Sequence, residues 1–187
     1  MGKLEDDGWE KFVTGVGLIT SNGPHGHNIM AAEWVRQVSY TPFLISVHVS
    51  AKHATTDNIK KTKVFGVNLC SSKQNIISSL SGNYKGKTHN KIAALRKLGF
   101  KFYKAQKINV MMVQNSALNA ECKVVKTITL GDHIMFVGRV IAGKVGKDTP
   151  LAYNRGSYYY LDKNIPKPSD ASRARMKTVM EEHRKAL

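Results

Sequence analysis

The seven residues Asn28-Ile29-Met30-Ala31-Ala32-Glu33-Trp34 decide the interpretation of this 187-residue chain. They place a side-chain amide, a run of small residues and an indole shortly after the turn Ser21-Asn22-Gly23-Pro24. The small residues allow a flat ring to come close to the backbone, and Asn28 can both donate and accept hydrogen bonds at the edge of a heterocycle. Trp34 supplies an aromatic wall. The pattern predicts a site for a planar ring, although a buried tryptophan beside an ordinary loop is the simpler interpretation of this segment alone.

A second polar segment, Ser50-Ala51-Lys52-His53-Ala54-Thr55-Thr56, follows a strand-like run at residues 43–49. It brings hydroxyl groups, two basic side chains and the expected start of a helix to one place. Backbone N–H groups at a helix N-terminus and charged hydrogen-bond donors both favour phosphate. The segment therefore predicts a phosphate site, while a capped loop without a ligand explains it when it is taken alone.

The chain is strongly basic. It contains 29 Lys and Arg residues and 13 Asp and Glu residues, which gives a net charge of +16. No acidic residue lies between Asp57 and Glu121. So positive a field favours an anionic partner, which the composition leaves open between nucleic acid, an anionic membrane and a phosphate-bearing small molecule. A lysine-rich solvated surface without such a partner is an equally good interpretation of the charge.

The composition also excludes several classes of protein. Hydrophobic residues make up 42% of the chain, which is enough to bury a core. No apolar run reaches the length of about eighteen residues that a transmembrane helix needs. The polar, acidic N-terminus lacks the features of a signal peptide, and Cys70 and Cys122 alone provide neither a disulfide framework nor a CxxC metal site. We therefore expect a soluble, cytoplasmic protein that does not bind a membrane.

Short β-type runs separated by turns dominate the sequence and predict a closed β-barrel. Gly131-Asp132 is expected to join two of these runs as a hairpin. The predicted strands cover residues 11–20, 43–49, 64–69, 109–113, 121–130, 133–141 and 158–161.

Three short helices and a C-terminal helix are expected among these strands. The capping patterns predict one helix that begins at Thr55 or Thr56, one that begins at Ser71 or Ser72 and stops at Gly82, and one over residues 90–98 closed by Gly99. An extended connector follows at residues 162–168. Ser169 is then expected to cap a basic helix whose narrow apolar stripe packs on the body or on a partner subunit.

Several familiar motifs are incomplete. Gly86-Lys87-Thr88 lacks the first glycine of a phosphate-binding P-loop, and Gly15 and Gly17 do not extend to GxGxxG. His25-Gly26-His27 has no third ligand at a recognised spacing, so no metal site is expected. No nucleophile elbow or paired-carboxylate pattern is visible, and we expect no catalytic residue of the protein's own.

Taken together and in this order, the two opening segments resemble the flavin reductase-like family of FMN-binding split barrels, which includes the flavoredoxins. The family pattern Asn-x-Met-(Thr/Ala)-Ala-x-Trp is met by residues 28–34, with Ala31 where many members have threonine. The similarity runs over roughly residues 12–161 and continues in the segments 65–69, 81–82, 131–138 and 150–158 and at the expected helix start Lys91. It implies a mainly β, Greek-key split barrel of the FMN-binding type, with a few short helices and a C-terminal helix. The barrel domain is expected to cover residues 1–161, with residues 162–187 as a basic connector and C-terminal helix.

The resemblance implies FMN as the cofactor and assigns twelve binding residues. Asn28 and Trp34 would lie at the isoalloxazine ring, and His133 and an aromatic residue of the last strand, here Tyr158, would complete the pocket. For His133 a hydrogen-bonded hairpin histidine, and for Tyr158 plain core packing, are about equally good interpretations. The other implied contacts are the ring-edge residues Met30, Ala31 and Ala32 and the phosphate-site residues Ser50, Lys52, His53, Thr55 and Lys91.

The function implied by the resemblance is transfer of hydride from NADH or NADPH to FMN, with electrons passing on to an unknown second acceptor. Members of the family also imply a homodimer. A flavoredoxin-like electron carrier that oxidises NAD(P)H poorly is the first alternative. A basic nucleic-acid-binding β-barrel, with Phe100, Phe102 and Tyr103 stacking bases, is the second, and it is disfavoured because no RNP1, KH or zinc-finger pattern is present.

Overall fold

The computed structural model describes residues 8–185. The first described element is a 3-10 turn at Gly8–Lys11, and the last is a helix at Asp170–Glu182. The strands are β1 (Thr14–Gly15), β2 (Gly17–Ser21), β3 (Asn28–Ala32), β4 (Val35–Ser39), β5 (Leu44–Ser50), β6 (Val64–Leu69), β7 (Phe102–Lys104), β8 (Met111–Val113), β9 (Leu118–Leu130), β10 (His133–Val145), β11 (Ala152–Asn154) and β12 (Ser157–Tyr159). The helices are α1 (Ala54–Thr62), α2 (Asn75–Asn83), α3 (Lys91–Lys97) and α4 (Asp170–Glu182).

The largest sheet is antiparallel and contains seven strands in the order β3-β2-β6-β9-β10-β5-β4. Its outermost strands, β3 and β4, are separated in the sequence only by Glu33 and Trp34. Because so short a connection brings opposite edges together, the sheet curls into a barrel. The amide of His48 on β5 donates to the carbonyl oxygen of Trp34 at 3.0 Å, which extends the pairing of β4 with β5 into this connection. The predicted mainly β fold of split-barrel type is confirmed.

The hairpin of β9 and β10 forms the longest pair of strands in the sheet. Gly131 adopts a positive φ of 56° in its turn, a conformation that glycine reaches without steric penalty. The predicted hairpin is confirmed, but its strands extend further, from Leu118 to Val145, than the alternation of apolar residues indicated. On its other side β10 pairs with β5 and sets His133 opposite Ser50.

Two apolar clusters stabilise the fold. One fills the barrel around Phe65 and Phe136, which are completely buried. The other packs α2 and α3 against the outside of β2 and β3 through residues such as Ile29, Ile77 and Leu95. This second cluster holds α2 and α3 beside β3, the strand that contains most of the segment Asn28–Trp34.

The aromatic residues considered for base stacking take part in packing. Phe100 and Phe102 pack against the second cluster, and Tyr103 packs beside Val64 in a third, smaller one. The ammonium of Lys144 lies 4.3 Å from the centre of the Tyr103 ring. These rings are partly buried, so they do not form an open stacking surface.

Two predicted helix starts are wrong. The helix α1 begins after His53, because the hydroxyls of Thr55 and Thr56 are engaged in tertiary hydrogen bonds instead of capping. The helix α2 begins after Gln74, whose side-chain oxygen accepts from the amide of Ser71, and Gly82 lies within the helix instead of ending it.

The caps of the other two helices are confirmed. Asn90 accepts a hydrogen bond from the amide of Ala93 at 3.1 Å at the start of α3, and Gly99 follows the helix with a φ of 88°. Ser169 accepts from the amide of Ser172 at 3.2 Å at the start of α4. Each cap satisfies a backbone donor that the first turn leaves without a helical partner.

The predicted strands differ from the observed ones in several places. The run 11–20 forms two strands, β1 and β2, and the strand expected at 109–113 begins at Met111. The last predicted strand, 158–161, is observed as β12 at Ser157–Tyr159, paired with β11. Strands β3, β4, β7 and β11 were not predicted, because their sequences lack a clear two-residue alternation.

The C-terminal helix α4 has no buried residue, so its apolar stripe does not pack on the barrel as one alternative predicted. Met176, Val179 and Met180 are exposed. Among residues 8–185, no helix is long and apolar enough to span a bilayer. The division into domains at residue 161 stays a prediction, and residues 1–7 and 186–187 lie outside the described part of the chain.

Candidate functional site

Two adjoining cavities open along β3, and the two segments singled out from the sequence line them. The apolar cavity has a volume of about 600 Å³ and includes Trp34, His48 and His133. The basic cavity has a volume of about 520 Å³ and is lined by residues of β3, α1 and the region from α2 to the start of α3. Four residues line both cavities, so the two segments face a single cleft: Met30, Ala31, Ser50 and His53.

The segments also contact each other directly. The side-chain amide of Asn28 donates to the hydroxyl of Thr55 at 2.9 Å, and both side chains are buried. Gly86 closes over Asn28 from the loop after α2, and a Cβ atom at this glycine would lie 2.3 Å from Oδ1 of Asn28. Only a residue without a side chain fits there, and Asn28 is therefore held in one position between the strand and the helix.

Three buried polar side chains converge in the basic cavity. Thr55, Ser81 and Lys91 are each exposed by 3% or less. The ammonium of Lys91 donates to the carbonyl oxygen of Ser81 at 2.8 Å, and its burial lowers the pKa of this lysine to about 8. The hydroxyl of Ser81 has no hydrogen-bond partner. Since a buried polar atom without a partner costs about 1–3 kcal/mol, this hydroxyl marks a place for a ligand acceptor.

The N-terminus of α1 faces the same cavity. Ala54 and Thr55, the first residues of the helix, line it. His53 precedes them in an extended conformation and makes no side-chain cap. Backbone N–H groups of a first helical turn have no helical acceptor, and the helix dipole adds partial positive charge. Together with Lys91, this end of the helix provides an environment suited to a phosphate dianion.

The apolar cavity is bounded by aromatic rings. The Trp34 and His133 rings are 4.6 Å apart between centroids, and His48 meets the indole edge-on at 6.3 Å. Burial, with a smaller contribution from the positive charge of His133, lowers the pKa of His48. Burial also lowers the pKa of His53, aided by the charge of Lys91. These imidazole rings and the indole form a surface suited to a planar ring.

His133 is oriented by its neighbour in the hairpin turn. Its Nδ1 lies 2.7 Å from a carboxylate oxygen of Asp132, and this hydrogen bond lowers the pKa of Asp132. The pairing turns Nε2 of the same ring away from Asp132. His133 is therefore a hydrogen-bonded hairpin histidine that also lines the apolar cavity, and its contact with a flavin stays a prediction.

The structure brings together all the predicted site residues except one. Asn28, Lys52, Thr55 and Lys91 line the basic cavity, Ala32, Trp34 and His133 line the apolar one, and the four shared residues line both. Tyr158 lies instead in a neighbouring cavity of about 390 Å³. This cavity has Ala31 and Ala32 in common with the apolar cavity. There its hydroxyl donates to Ser78 at 3.1 Å, and its ring packs 5.4 Å from that of Tyr153.

Sequence reasoning missed His48 and Ser81 as site residues. His48 had a usable signal, since it lies two positions before Ser50 on a strand, and residues two apart share one face. Ser81 belongs to the family match Ser81-Gly82, but nothing in the sequence indicated that its hydroxyl is buried without a partner.

Comparisons with known proteins agree on one family. A family model described as flavin reductase like domain matches residues 9–162. An uncharacterised protein of Pyrococcus abyssi (strain GE5 / Orsay) is 31% identical over 125 residues, which cover 67% of this chain and 70% of that protein. An NADH-dependent FMN reductase of Streptomyces nodosus subsp. asukaensis is 25% identical over 79% of this chain and 78% of its own. The crystal structure of flavoredoxin from Methanosarcina acetivorans superposes with a TM-score of 0.79 at 23% identity, over 94% of this chain and 99% of that one.

Proposed function

This chain belongs to the flavin reductase-like domain family, and we propose that it binds FMN and transfers hydride to it from NADH or NADPH. The ring of FMN would occupy the apolar cavity and its phosphate the basic cavity. The observation that carries the proposal is the buried ammonium of Lys91 in the basic cavity, held by the carbonyl oxygen of Ser81, a residue whose own hydroxyl has no hydrogen-bond partner. Such an arrangement is stable once an anionic acceptor is bound.

The phosphate would be held by three kinds of donor from different elements. Thr55 donates its hydroxyl from α1, since the oxygen of this group already accepts from Asn28 and its proton is left for a ligand. Ser81 donates from α2, and Lys91 supplies a positive charge from α3. This set matches an acceptor with several oxygens and a double negative charge.

The ring would be held by the strand β3 and the aromatic rings opposite it. Ala31 and Ala32 leave the backbone of β3 accessible to a flat ligand, because neither carries a side chain beyond Cβ. Trp34, whose side chain is half exposed, closes one side of the cavity together with His133. The residues present therefore fit an isoalloxazine ring.

FMN, when bound, supplies the redox chemistry, since its ring accepts a hydride from a reduced nicotinamide. The protein's own residues bind and orient the two partners and provide a positive environment. Lys91 and the N-terminus of α1 favour negative charge in the cleft. The net charge of +16 attracts anionic nicotinamide nucleotides and, beyond them, an anionic second acceptor.

We extend the proposal to a homodimer. Phe12 lines the apolar cavity although 69% of its surface is exposed, so the cavity is open on that side. Val38 and Tyr40, at and beside the outermost strand β4, are also exposed. A second copy packed on this side would cover these residues and complete the cavity wall. Light scattering during gel filtration tests this, and a monomer at all concentrations would contradict it.

The function is tested by titrating the protein with FMN and with riboflavin, followed by flavin fluorescence. Ser81→Ala removes a buried hydroxyl that has no protein partner, so we expect the flavin-free variant to be at least as stable as the wild type. Its dissociation constant for FMN should rise about tenfold, while that for riboflavin should not change. The exposed Ser79→Ala on the same helix serves as the matched control and should bind both as the wild type does.

Stopped-flow mixing of the FMN-loaded protein with NADH or NADPH tests the reductase activity. Loss of the visible flavin absorbance at a rate that increases with nucleotide concentration is expected. If FMN binds tightly but neither nucleotide bleaches it, the hydride-transfer half of the proposal is wrong and the protein is an electron carrier.

A further inference from the structure

The cavity that contains Tyr158, which we call the tyrosine cavity, differs in charge from the rest of the cleft. Its volume of about 390 Å³ lies within the range of about 300–1,000 Å³ that is typical of small-molecule sites. Its lining includes one carboxylate, Glu33, and the phenol rings of Tyr153 and Tyr158. No lysine, arginine or histidine is among the described residues that line it, whereas the apolar and basic cavities contain histidine or lysine. In a chain with a net charge of +16, this lining indicates a ligand that is not anionic.

Glu33 supplies the negative charge of the tyrosine cavity. It lies in the short connection between β3 and β4. Its carboxylate forms no ion pair with a residue of the part 8–185, although the chain contains 29 Lys and Arg residues. Partial burial raises the pKa of Glu33. Burial, and after it the charge of Glu33, raises the pKa of Tyr153, so the carboxylate acts on this phenol group.

Hydrogen bonds within the lining occupy two of its donors and leave acceptors for a ligand. The hydroxyl of Tyr158 donates to Ser78 at 3.1 Å. The side-chain amide of Asn83 donates to the hydroxyl of Ser79 at 3.3 Å, and its carbonyl oxygen is left as an acceptor. The carboxylate oxygens of Glu33 are acceptors as well. This set favours a ligand that brings N–H donors over one that brings phosphate or carbonyl oxygens.

The two tyrosine rings add a second attraction for positive charge. Their centroids are 5.4 Å apart and their planes are tilted by 59°. The electron-rich face of a tyrosine ring attracts a cation, and this attraction adds to that of a nearby carboxylate. Aromatic rings beside one unpaired carboxylate form the kind of environment that binds an ammonium group.

We propose that the tyrosine cavity binds a small organic molecule through a primary ammonium group, which is held by Glu33 and the tyrosine rings, with Asn83 as a further acceptor. The proposal goes beyond the function in flavin chemistry and does not depend on it, since none of these contacts involves a flavin. Ala31, Ala32 and Glu33 line both the tyrosine cavity and the apolar cavity. A molecule bound in the tyrosine cavity would therefore lie directly beside the apolar cavity.

Calorimetric titration of the flavin-free protein with n-butylammonium and with 1-butanol tests the site. The two probes have similar shapes and differ in charge. The wild type should bind n-butylammonium at least about tenfold more tightly than 1-butanol. The net charge of +16 repels cations, so this preference cannot come from the overall field of the protein.

Glu33→Gln should raise the dissociation constant for n-butylammonium about tenfold and leave that for 1-butanol unchanged. Glu182→Gln is the matched control, because it makes the same chemical change at an exposed position of α4 outside the cavity, and it should have little effect. Asn83→Ala, also at an exposed position, is a second variant and should weaken n-butylammonium binding about threefold.

Three results would overturn the inference. These are absence of n-butylammonium binding by the wild type, equal affinities of the wild type for n-butylammonium and 1-butanol, and equal n-butylammonium affinities in Glu33→Gln and Glu182→Gln. Failure of the protein to bind FMN would instead contradict the proposed function and leave these titrations unaffected.

Discussion

The side-chain amide of Asn28 on β3 donates a 2.9 Å hydrogen bond to the hydroxyl of Thr55 on α1, 27 residues further along the chain. The bond is buried and joins the strand that lines the apolar cavity to the helix that faces the basic cavity. Because a buried side-chain hydrogen bond fixes both partners, it sets the relative position of the two halves of the cleft. The proposed flavin site depends on this connection.

Thr55→Val tests the connection, since valine keeps the shape of threonine and removes its hydroxyl. The amide of Asn28 is then buried without this acceptor, and we expect a loss of about 1–3 kcal/mol in the free energy of unfolding. The dissociation constant for FMN should rise about tenfold, because Thr55 also donates to the proposed phosphate. Urea denaturation and fluorescence titration measure the two effects separately.

Thr56→Val is the matched control, one position further along the same helix. The hydroxyl of Thr56 is also buried and donates to the carbonyl oxygen of Ser50 at 2.7 Å, but this residue does not line the basic cavity. The Thr56→Val variant should therefore be less stable than the wild type and bind FMN with the same affinity. Equal FMN affinities in the two variants would show that Thr55 does not touch the ligand.

Gly86→Ala should disturb the site without touching its charged groups. The added Cβ would meet Oδ1 of Asn28 at 2.3 Å and force this side chain away from Thr55. We expect lower stability together with weaker binding of both FMN and riboflavin. Gly15→Ala provides the control, since a Cβ there would meet no atom within 4 Å. A fully stable Gly86→Ala variant with unchanged affinity would contradict the assigned role of Asn28.

Trp34→Ala should weaken ring binding and leave phosphate binding alone. The Trp34 side chain is about half exposed, so its removal has little effect on folding. The dissociation constants for FMN and riboflavin should rise by the same factor, of about ten, because the two ligands share the ring. A selective effect on FMN in fluorescence titrations would place the ring elsewhere.

Lys91 makes the affinity for FMN depend on pH. Burial lowers the pKa of this lysine from 10.5 to about 8 in the flavin-free protein, and a bound phosphate would raise it again. The affinity for FMN should therefore be nearly constant between about pH 7 and pH 8, where the phosphate is a dianion, and fall as the pH rises above 8, by up to about tenfold per pH unit. Riboflavin, which has no phosphate, should show no such slope.

Lys91→Met is the control for this pH dependence. It should bind FMN weakly at every pH and show no change in affinity above pH 8. The Lys91 ammonium also affects folding in the wild type. Between about pH 8 and 10.5, Lys91 is protonated in the unfolded chain and largely deprotonated in the folded protein. The contribution of Lys91 therefore makes the flavin-free wild type more stable as the pH rises through this interval, and the variant should lose that contribution.

The barrel and most of the site were predictable from the sequence because their signals are local. The alternation of apolar residues and the Gly131-Asp132 turn indicated the long hairpin, and Asn90 and Ser169 indicated two helix starts. The order of the motifs supported the convergence of the two segments. The hairpin and helix inferences used residues that lie close together in the chain, whereas the site residues came from the family resemblance over residues 12–161.

The features that the sequence did not reveal depend on tertiary partners. Threonine is a good capping residue, but the hydroxyl of Thr55 instead accepts a hydrogen bond from the buried side-chain amide of Asn28. Tyr158 packs against Tyr153 and donates to Ser78, and both contacts depend on how the last strands fold back on α2. The unpartnered hydroxyl of Ser81 exists only because α2, α3 and β3 enclose it.

The absorption spectrum of the protein after incubation with FMN and removal of free ligand by gel filtration tests the central claim most directly. The account predicts a yellow protein that retains FMN in a one-to-one ratio, with visible bands shifted from those of free FMN, and a Thr55→Val variant that retains less. A colourless wild-type protein after this treatment would contradict it.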